Sequence, residues 1–354
     1  MSTADVGEDG SVGLGGGAVH RAPVLNSPTR SKVPLTVILD GAPLRTGFER
    51  ASLYARGWLL AHYLTFNVAR RGQIETYLDA IARGQSQLDA ARSVFGDLGQ
   101  LDRELDAYLR ADKLPYLKFS HAQVIIGKVE VEALGPGAAD YLPLMRKVQI
   151  GVAPDKRADL ATEARRLAAA NPTDPQMAMI LAAAELYNHN FSAADIAADR
   201  AMALAPASAE ALIFKGRAVI GRARSGDKSV TFANARGWFN RANRLDPENP
   251  EPLVLFYRSF MDERIVPTPN AVAALHYASA LAPYDLGLGM NSARQYLSDG
   301  KPAEARKALI PLAYNPHGGP LSDAARRLIG LIDSGQVAAA AATTIAIEPL
   351  SKTK

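Results

Sequence analysis

Five prolines set the frame for the second half of this chain. Pro172 (AANPTD), Pro206 (ALAPAS), Pro247 (RLDPEN), Pro283 (ALAPYD) and Pro316 (AYNPHG) stand 34, 41, 36 and 33 residues apart. The sequence between them is Ala-rich with helical periodicity, so each interval holds one helix–turn–helix unit. Such a unit cannot bury its apolar face alone and must stack on its neighbours. Stacking needs small residues where helices cross, and the intervals supply them in register. Ala201, Ala242 and Ala278 lie five residues before a proline, and Ala194, Ala235 and Ala271 lie twelve before. Gly216 takes the small position of a first helix, with Leu212 four residues earlier. The 41-residue interval contains the polar run Gly221–Ser229 (GRARSGDKS), which predicts a lengthened loop. The end units depart from the pattern. Leu167 stands where Ala is expected, with Ala168 one place late, and the last unit has Pro311 there with Ala305 one place out of register.

Over residues 155–334 this spacing resembles the tetratricopeptide repeats. The resemblance implies an α-solenoid whose first helices line a concave groove, with position nine of each repeat pointing into it. That position, eleven residues after each proline, holds Ala183, Arg217, Arg258, Arg294 and Arg327. Position five supplies Met179, Ile213, Val254 and Met290, an apolar strip beside the arginines. A planar guanidinium fork suits carboxylates. The resemblance therefore implies a non-catalytic scaffold holding a partner protein or peptide, acidic or ending in a free carboxylate. The competing reading is plainer and commoner. Each arginine could pair with a neighbouring Glu or Asp and simply solvate its helix.

The first half is less regular. Residues 1–45 read as a disordered leader and a short extended segment. The first thirty residues are rich in glycine and serine and carry few large apolar groups, and Gly13–Gly17 (GLGGG) lacks the strand–loop–helix context of a phosphate loop. Val33–Leu39 is strand-like. Helical patterning begins near Thr46, and Phe48–Phe66 is apolar on most faces, as in a buried helix. Helices follow over Gln73–Ile81, Gln85–Val94 and Leu101–Leu109, with Gly84 and Phe95-Gly96 as stops. Lys128–Glu132 alternates, predicting a half-buried strand. Leu134-Gly135-Pro136-Gly137 reads as a turn, and a helix restarts near Ala138. The predicted fold class is all-α: a small mostly helical domain with a short β element over 46–150, helical repeats over 151–334, and a flexible tail over 335–354.

The segment Tyr54-Ala55-Arg56-Gly57-Trp58 with Leu59–Leu64, then Gln73–Gly84, Ala90–Gly96 and a helix ending at Tyr108-Leu109, resembles the closing part of bacterial peptidase-MA-like (gluzincin) domains. In that family a zinc-binding HExxH and an EGxAEY-like segment come before this helix. Neither has a counterpart in this sequence, so no zinc ligand or catalytic Glu carries over. The resemblance implies a remnant or, as an alternative function, the C-terminal part of a metallopeptidase-like protein whose catalytic half lies upstream.

Composition narrows the remaining chemistry. There is no cysteine, which removes disulfides, thiolate zinc sites and cysteine nucleophiles. None of His20, His62, His121, His189, His276 and His317 falls in HExxH or at a metal-ligand spacing. His62 reads as a hydrogen-bonded core residue, and His189 and His317 as turn residues. GxSxG and Walker sequences are lacking. Lys128, Glu130 and Glu132, and likewise Asp102, Glu104 and Asp106, read as solvated, charge-balanced faces. The net charge of +4 is spread among acidic residues rather than clustered, so no nucleic-acid partner is expected. Trp58–Phe66 is far short of the roughly 20 apolar residues of a membrane span, and the N-terminus has no secretory signal pattern. The expectation is a chain with no cofactor and no metal, cytoplasmic as written, or periplasmic or secreted if the gene starts upstream.

Overall fold

The computed structural model describes residues 3–27, 33–40, 46–111, 113–125, 127–131, 138–315 and 317–343. The chain forms two compact units, one of Met1–Glu130 with Tyr296–Lys354 and the other of Val131–Gln295.

The first unit opens with β1 (Ala4–Val6) and β2 (Val12–Leu14), followed by α1 (Ala22–Leu25), α2 (Leu35–Leu39) and α3 (Gly47–Phe66). It continues with α4 (Gln73–Ala82), α5 (Gln87–Phe95), α6 (Leu98–Leu109) and β3 (Leu117–Phe119). Thr46 caps α3 in a reciprocal box. Its hydroxyl accepts from the Glu49 amide at 3.1 Å, and Glu49 accepts from the Thr46 amide at 2.8 Å. As the all-round apolar pattern requires, α3 runs through the core. Leu59, Leu64 and Trp58 pack against Leu35, Phe95, Leu101 and Leu105.

Three expectations for this half are corrected. The glycine-rich start is not a disordered leader. β2 is the central strand of an antiparallel sheet, pairing Ala4 with Leu14 on one side and Val12 with Phe119 on the other. The turn between β1 and β2 is tied by Asp9, which accepts from the Ser11 amide and hydroxyl. The strand-like Val33–Leu39 is instead the helix α2 behind Pro34. It buries Leu35, Ile38 and Leu39 at the i, i+3, i+4 spacing, and Asp102 accepts the free Leu35 amide at 3.2 Å. Residues 127–131 form no strand and expose Val129 and Val131; the strand lies earlier, at β3. Glu132, the turn 134–137, Pro316 and residues 344–354 lie outside the described residues.

The second unit is helical throughout its described residues. Its helices are α7 (Ala138–Ile150), α8 (Arg157–Ala170), α9 (Pro175–Tyr187), α10 (Phe191–Leu204), α11 (Ala209–Arg224), α12 (Phe232–Leu245), α13 (Pro250–Glu263), α14 (Pro269–Leu281) and α15 (Leu286–Ser298), the last crossing the division between units. From α7 to α14 each helix packs on the next. In addition α7 touches α9, α9 touches α11 and α11 touches α13. Contact between alternate helices is what side-by-side hairpins produce, and the unit is an α-solenoid. Helix starts carry the residues the sequence supplies for them. Asp174, Ser208, Thr231, Asn249 and Thr268 cap α9, α11, α12, α13 and α14, and Pro175, Pro250 and Pro269 take the first turn. The in-register alanines Ala194, Ala201, Ala235, Ala242, Ala271 and Ala278 are all fully buried. Gly216 lies directly under the Phe239 ring. The polar run after Gly221 lengthens α11 as well as the loop, and Arg222 ties that loop through Asp227 and Ser229.

The chain ends in α16 (Pro302–Ala313), α17 (Pro320–Asp333) and α18 (Val337–Ala342), which belong to the first unit. There Tyr54 of α3 shares a 2.8 Å hydrogen bond with His317, which does lie in a turn. Part of the expected tail is thus helical. Among the described residues no helix is long and apolar enough to cross a membrane.

Candidate partner-binding groove

The solenoid carries a groove of about 430 Å³ between α11 and α13, closed at one end by the α9–α10 turn. Helical register builds it. Arg217, Ile220, Gly221 and Arg224 follow one another at i, i+3, i+4 and i+7 along α11. Glu251, Val254, Leu255, Arg258 and Asp262 repeat that spacing, one turn further, along α13. Leu186, His189 and Phe191 complete the lining. His189 adopts a left-handed backbone (φ 59°), and its ring meets Phe191 edge-on at 5.8 Å. The Phe191 ring lies so close to Gly221 that any side chain there would overlap it.

The charges are arranged as rungs. Arg217 faces Glu251 at 3.6 Å, and Arg224 pairs with Asp262. Desolvation and the charge of Glu251 push the nearby Glu210 carboxyl above its ordinary range. Arg258 is exposed and has no ion-pair or hydrogen-bond partner among the described residues. It lies about 10 Å along the helix axis from Glu251 and about 6 Å from Asp262. Three guanidinium groups therefore line the groove against two carboxylates, and the uncompensated charge is the central one.

Of the four arginines at the repeated position, the structure brings Arg217 and Arg258 into one groove. Arg294 is exposed on α15 and outside this lining, and Arg327 is exposed on α17 in the first unit. The apolar strip is largely absorbed by the core. Met179, Ile213 and Met290 are buried, Met179 accepting from the Ser208 hydroxyl and Ile213 packing with Leu212 and Ala242. Val254 alone of that set lines the groove, joined by Ile220, Leu255, Leu186 and Phe191. Arg224 and Asp262 were missed, although each repeats the face of Arg217 or Arg258 one or two turns on. Phe191 and His189 come from a neighbouring hairpin's turn, which register counting on α11 and α13 does not reach.

The first unit holds a smaller, mostly apolar cavity of about 230 Å³ beside His62, walled by Trp58, Phe66, Leu14 and Leu117. His62 is the hydrogen-bonded core residue expected. Its Nε2 meets the Gly15 carbonyl at 2.8 Å and its Nδ1 the Tyr108 hydroxyl at 2.9 Å. Burial pushes the imidazole below 6.5 and pushes Tyr108 up to about 12. The pattern is a neutral ring whose Nε2–H donates to the carbonyl while Nδ1 accepts from Tyr108. Asp102, Glu104 and Asp106 are not a solvated face. Buried Arg56 pairs with Asp102 and, at 3.4 Å, with Asp106. Glu104 accepts from Arg70 at 2.6 Å and from Tyr63 at 3.0 Å. Among the described residues, no group of three His, Cys, Asp or Glu side chains is placed to hold a metal.

No family model matches the chain, and no curated protein matches it.

Proposed function

We propose that this chain is an interaction scaffold of tetratricopeptide type without catalytic activity of its own, and that the groove between α11 and α13 holds a carboxylate-bearing segment of a partner protein. The observation that carries this reading is Arg258. It is an uncompensated cation at the centre of a concave surface, with an ion pair on either side and apolar wall from Ile220, Val254, Leu255 and Phe191. An extended segment would place a carboxylate against Arg258 and an apolar side chain against that wall. A charge-assisted contact contributes about 1.5–3 kcal/mol, or roughly ten- to a hundredfold in affinity.

The test is selection from a random peptide display library on the intact chain, followed by affinity measurement for the winners. Carboxylate-rich sequences should be enriched, and Arg258→Glu should weaken them at least tenfold. Affinity should also fall with added salt. Arg294→Glu reports whether α15 contributes. Selection without acidic enrichment, or equal binding to Arg258→Glu, overturns the proposal.

A further inference from the structure

Residues 127–131 (GKVEV) have the alternating sequence of a half-buried strand and none of a strand's surroundings. Their backbone enters no helix, turn or ladder, and none of its amides or carbonyls bonds to another described residue. Val129 and Val131, the apolar side of the alternation, are 74% and 91% exposed. Lys128 and Glu130 share the other side, with their charged ends 2.6 Å apart. Unpaired backbone, β-branched side chains in water and a strand-forming pattern together describe one half of a ladder.

The charges say what the other half is. An antiparallel partner has to set valine against an apolar residue and opposite charges against each other. A second copy of the same segment does both. With Val129 opposite Val129 on a twofold axis, Lys128 of each copy opposes Glu130 of the other, and Gly127 opposes Val131. Among registers that overlap by three residues or more, this one alone succeeds. Sliding one copy by two residues centres the axis on Lys128 or on Glu130 and sets like charges face to face. Sliding it by one sets Val129 against Lys128 or Glu130. A parallel pair in register opposes every charge with its own kind. A segment complementary to its own reversed copy is the signature of a twofold contact.

We propose that residues 127–131 pair antiparallel with the same residues of a second copy, and that the chain forms a twofold dimer through this segment. The valines of both copies then lie on one face of the ribbon, and two ion pairs lie on the other. A two-stranded ribbon this short is weak, so the association depends on concentration. It uses nothing of the arginine groove and stands if that reading fails.

The chain has no cysteine, so an introduced thiol reports on one contact. Val129→Cys places it on the axis, within reach of its own counterpart. Val131→Cys is the control. It is the more exposed position, yet its counterpart lies four residues along the ribbon, about 13 Å away. Mild oxidation of the full chain at rising concentration, read by non-reducing gel, should give covalent dimer faster with Val129→Cys than with Val131→Cys. Adding Lys128→Glu to Val129→Cys should slow the reaction about tenfold, and adding Glu130→Lys as well should restore it. Glu130→Lys alone should slow it too, although a neighbouring lysine favours the reactive thiolate, which separates pairing from thiol chemistry. Equal rates for Val129→Cys and Val131→Cys, an equal or faster rate with Glu130→Lys, or no recovery in the double reversal overturns the proposal.

Discussion

Gly216 offers the sharpest test of how the hairpins are held together. A Cβ built on it would sit 2.8 Å from Cδ1 and 2.9 Å from Cζ of Phe239, and closer still to Cε1. Carbon atoms rest at about 3.5–4.0 Å. Phe239 is fully buried among Val219, Ala235, Leu253 and Phe256, so the ring cannot swing away without disturbing both hairpins. Gly216→Ala therefore combines opposing effects. Removing glycine from a helix interior contributes about 0.5–1 kcal/mol of stability. Overpacking a tight core costs about 1–3 kcal/mol. The net expectation is a loss of up to about 2.5 kcal/mol. Gly237 on α12 is the control, because it is exposed and a Cβ there meets nothing within 4 Å. Only the backbone effect remains, and Gly237→Ala should stabilise by about 0.5–1 kcal/mol. Urea unfolding followed by circular dichroism, with midpoints compared at unchanged slope, separates the two. The loss from Gly216→Ala should also shrink in a Phe239→Leu background, since the pair is coupled. If Gly216→Ala stabilises the chain as Gly237→Ala does, the close helix approach inferred for the solenoid is wrong.

Burial holds the folded pKa of His62 below 6.5, so the unfolded chain takes up a proton first as pH falls. Its contribution to stability is complete above about 6.5 and declines below it; unfolding free energies at about pH 7.5 and about pH 5.5 should differ less in His62→Gln than in the wild type, and an identical difference would refute this. Gly15 has φ +87°, and a Cβ there would meet the Phe66 ring at 2.7 Å. Gly15→Ala should lower the stability of the first unit by about 1–3 kcal/mol in thermal or urea melts, through left-handed strain and overpacking together. Arg56→Met removes the guanidinium shared by two half-buried carboxylates, Asp102 and Asp106. It should destabilise by about 2–3 kcal/mol in the same assay, below the value for a fully buried pair because both carboxylates keep some water.

Legibility followed sequence distance. The solenoid could be read because everything that specifies it is local or repeats. Ala201, Ala242 and Ala278 mark the crossings, Asp174, Ser208 and Asn249 start helices, and the prolines count the units. The β-sheet could not be read, because Val12 and Leu14 find Phe119 and Leu117 more than a hundred residues away. Glycine-rich composition alone describes a chain that does not order itself, and here order is supplied from outside the segment. His62 on α3 reaches the Gly15 carbonyl, and β3 covers the open edge of β2. Arg56 with Asp102, and Arg70 with Glu104, were illegible for the same reason. Each carboxylate looked solvated on its own helix until a cation from another helix was brought to it.

The groove divides along the same line. Counting from the prolines fixes the angle at which a side chain leaves its helix, and of the four arginines so counted Arg217 and Arg258 line one groove. It does not fix what comes to cover that angle. Met179, Ile213 and Met290 leave their helices at equivalent positions and are buried there. Val254, one repeat away, stays part-exposed in the groove. Charge neutralisation is a matter of cover too. At the same repeat position, Glu251 of the next hairpin faces Arg217, while among the described residues no acidic group pairs with Arg258, and Asp262, one turn along its own helix, is held by Arg224. A uniform stripe of arginines could be wholly neutralised by a uniform stripe of acids. The arrangement here pairs the arginines beside Arg258 and leaves that one charge facing the groove, which is why a single reversal, Arg258→Glu, separates a binding surface from a merely solvated one.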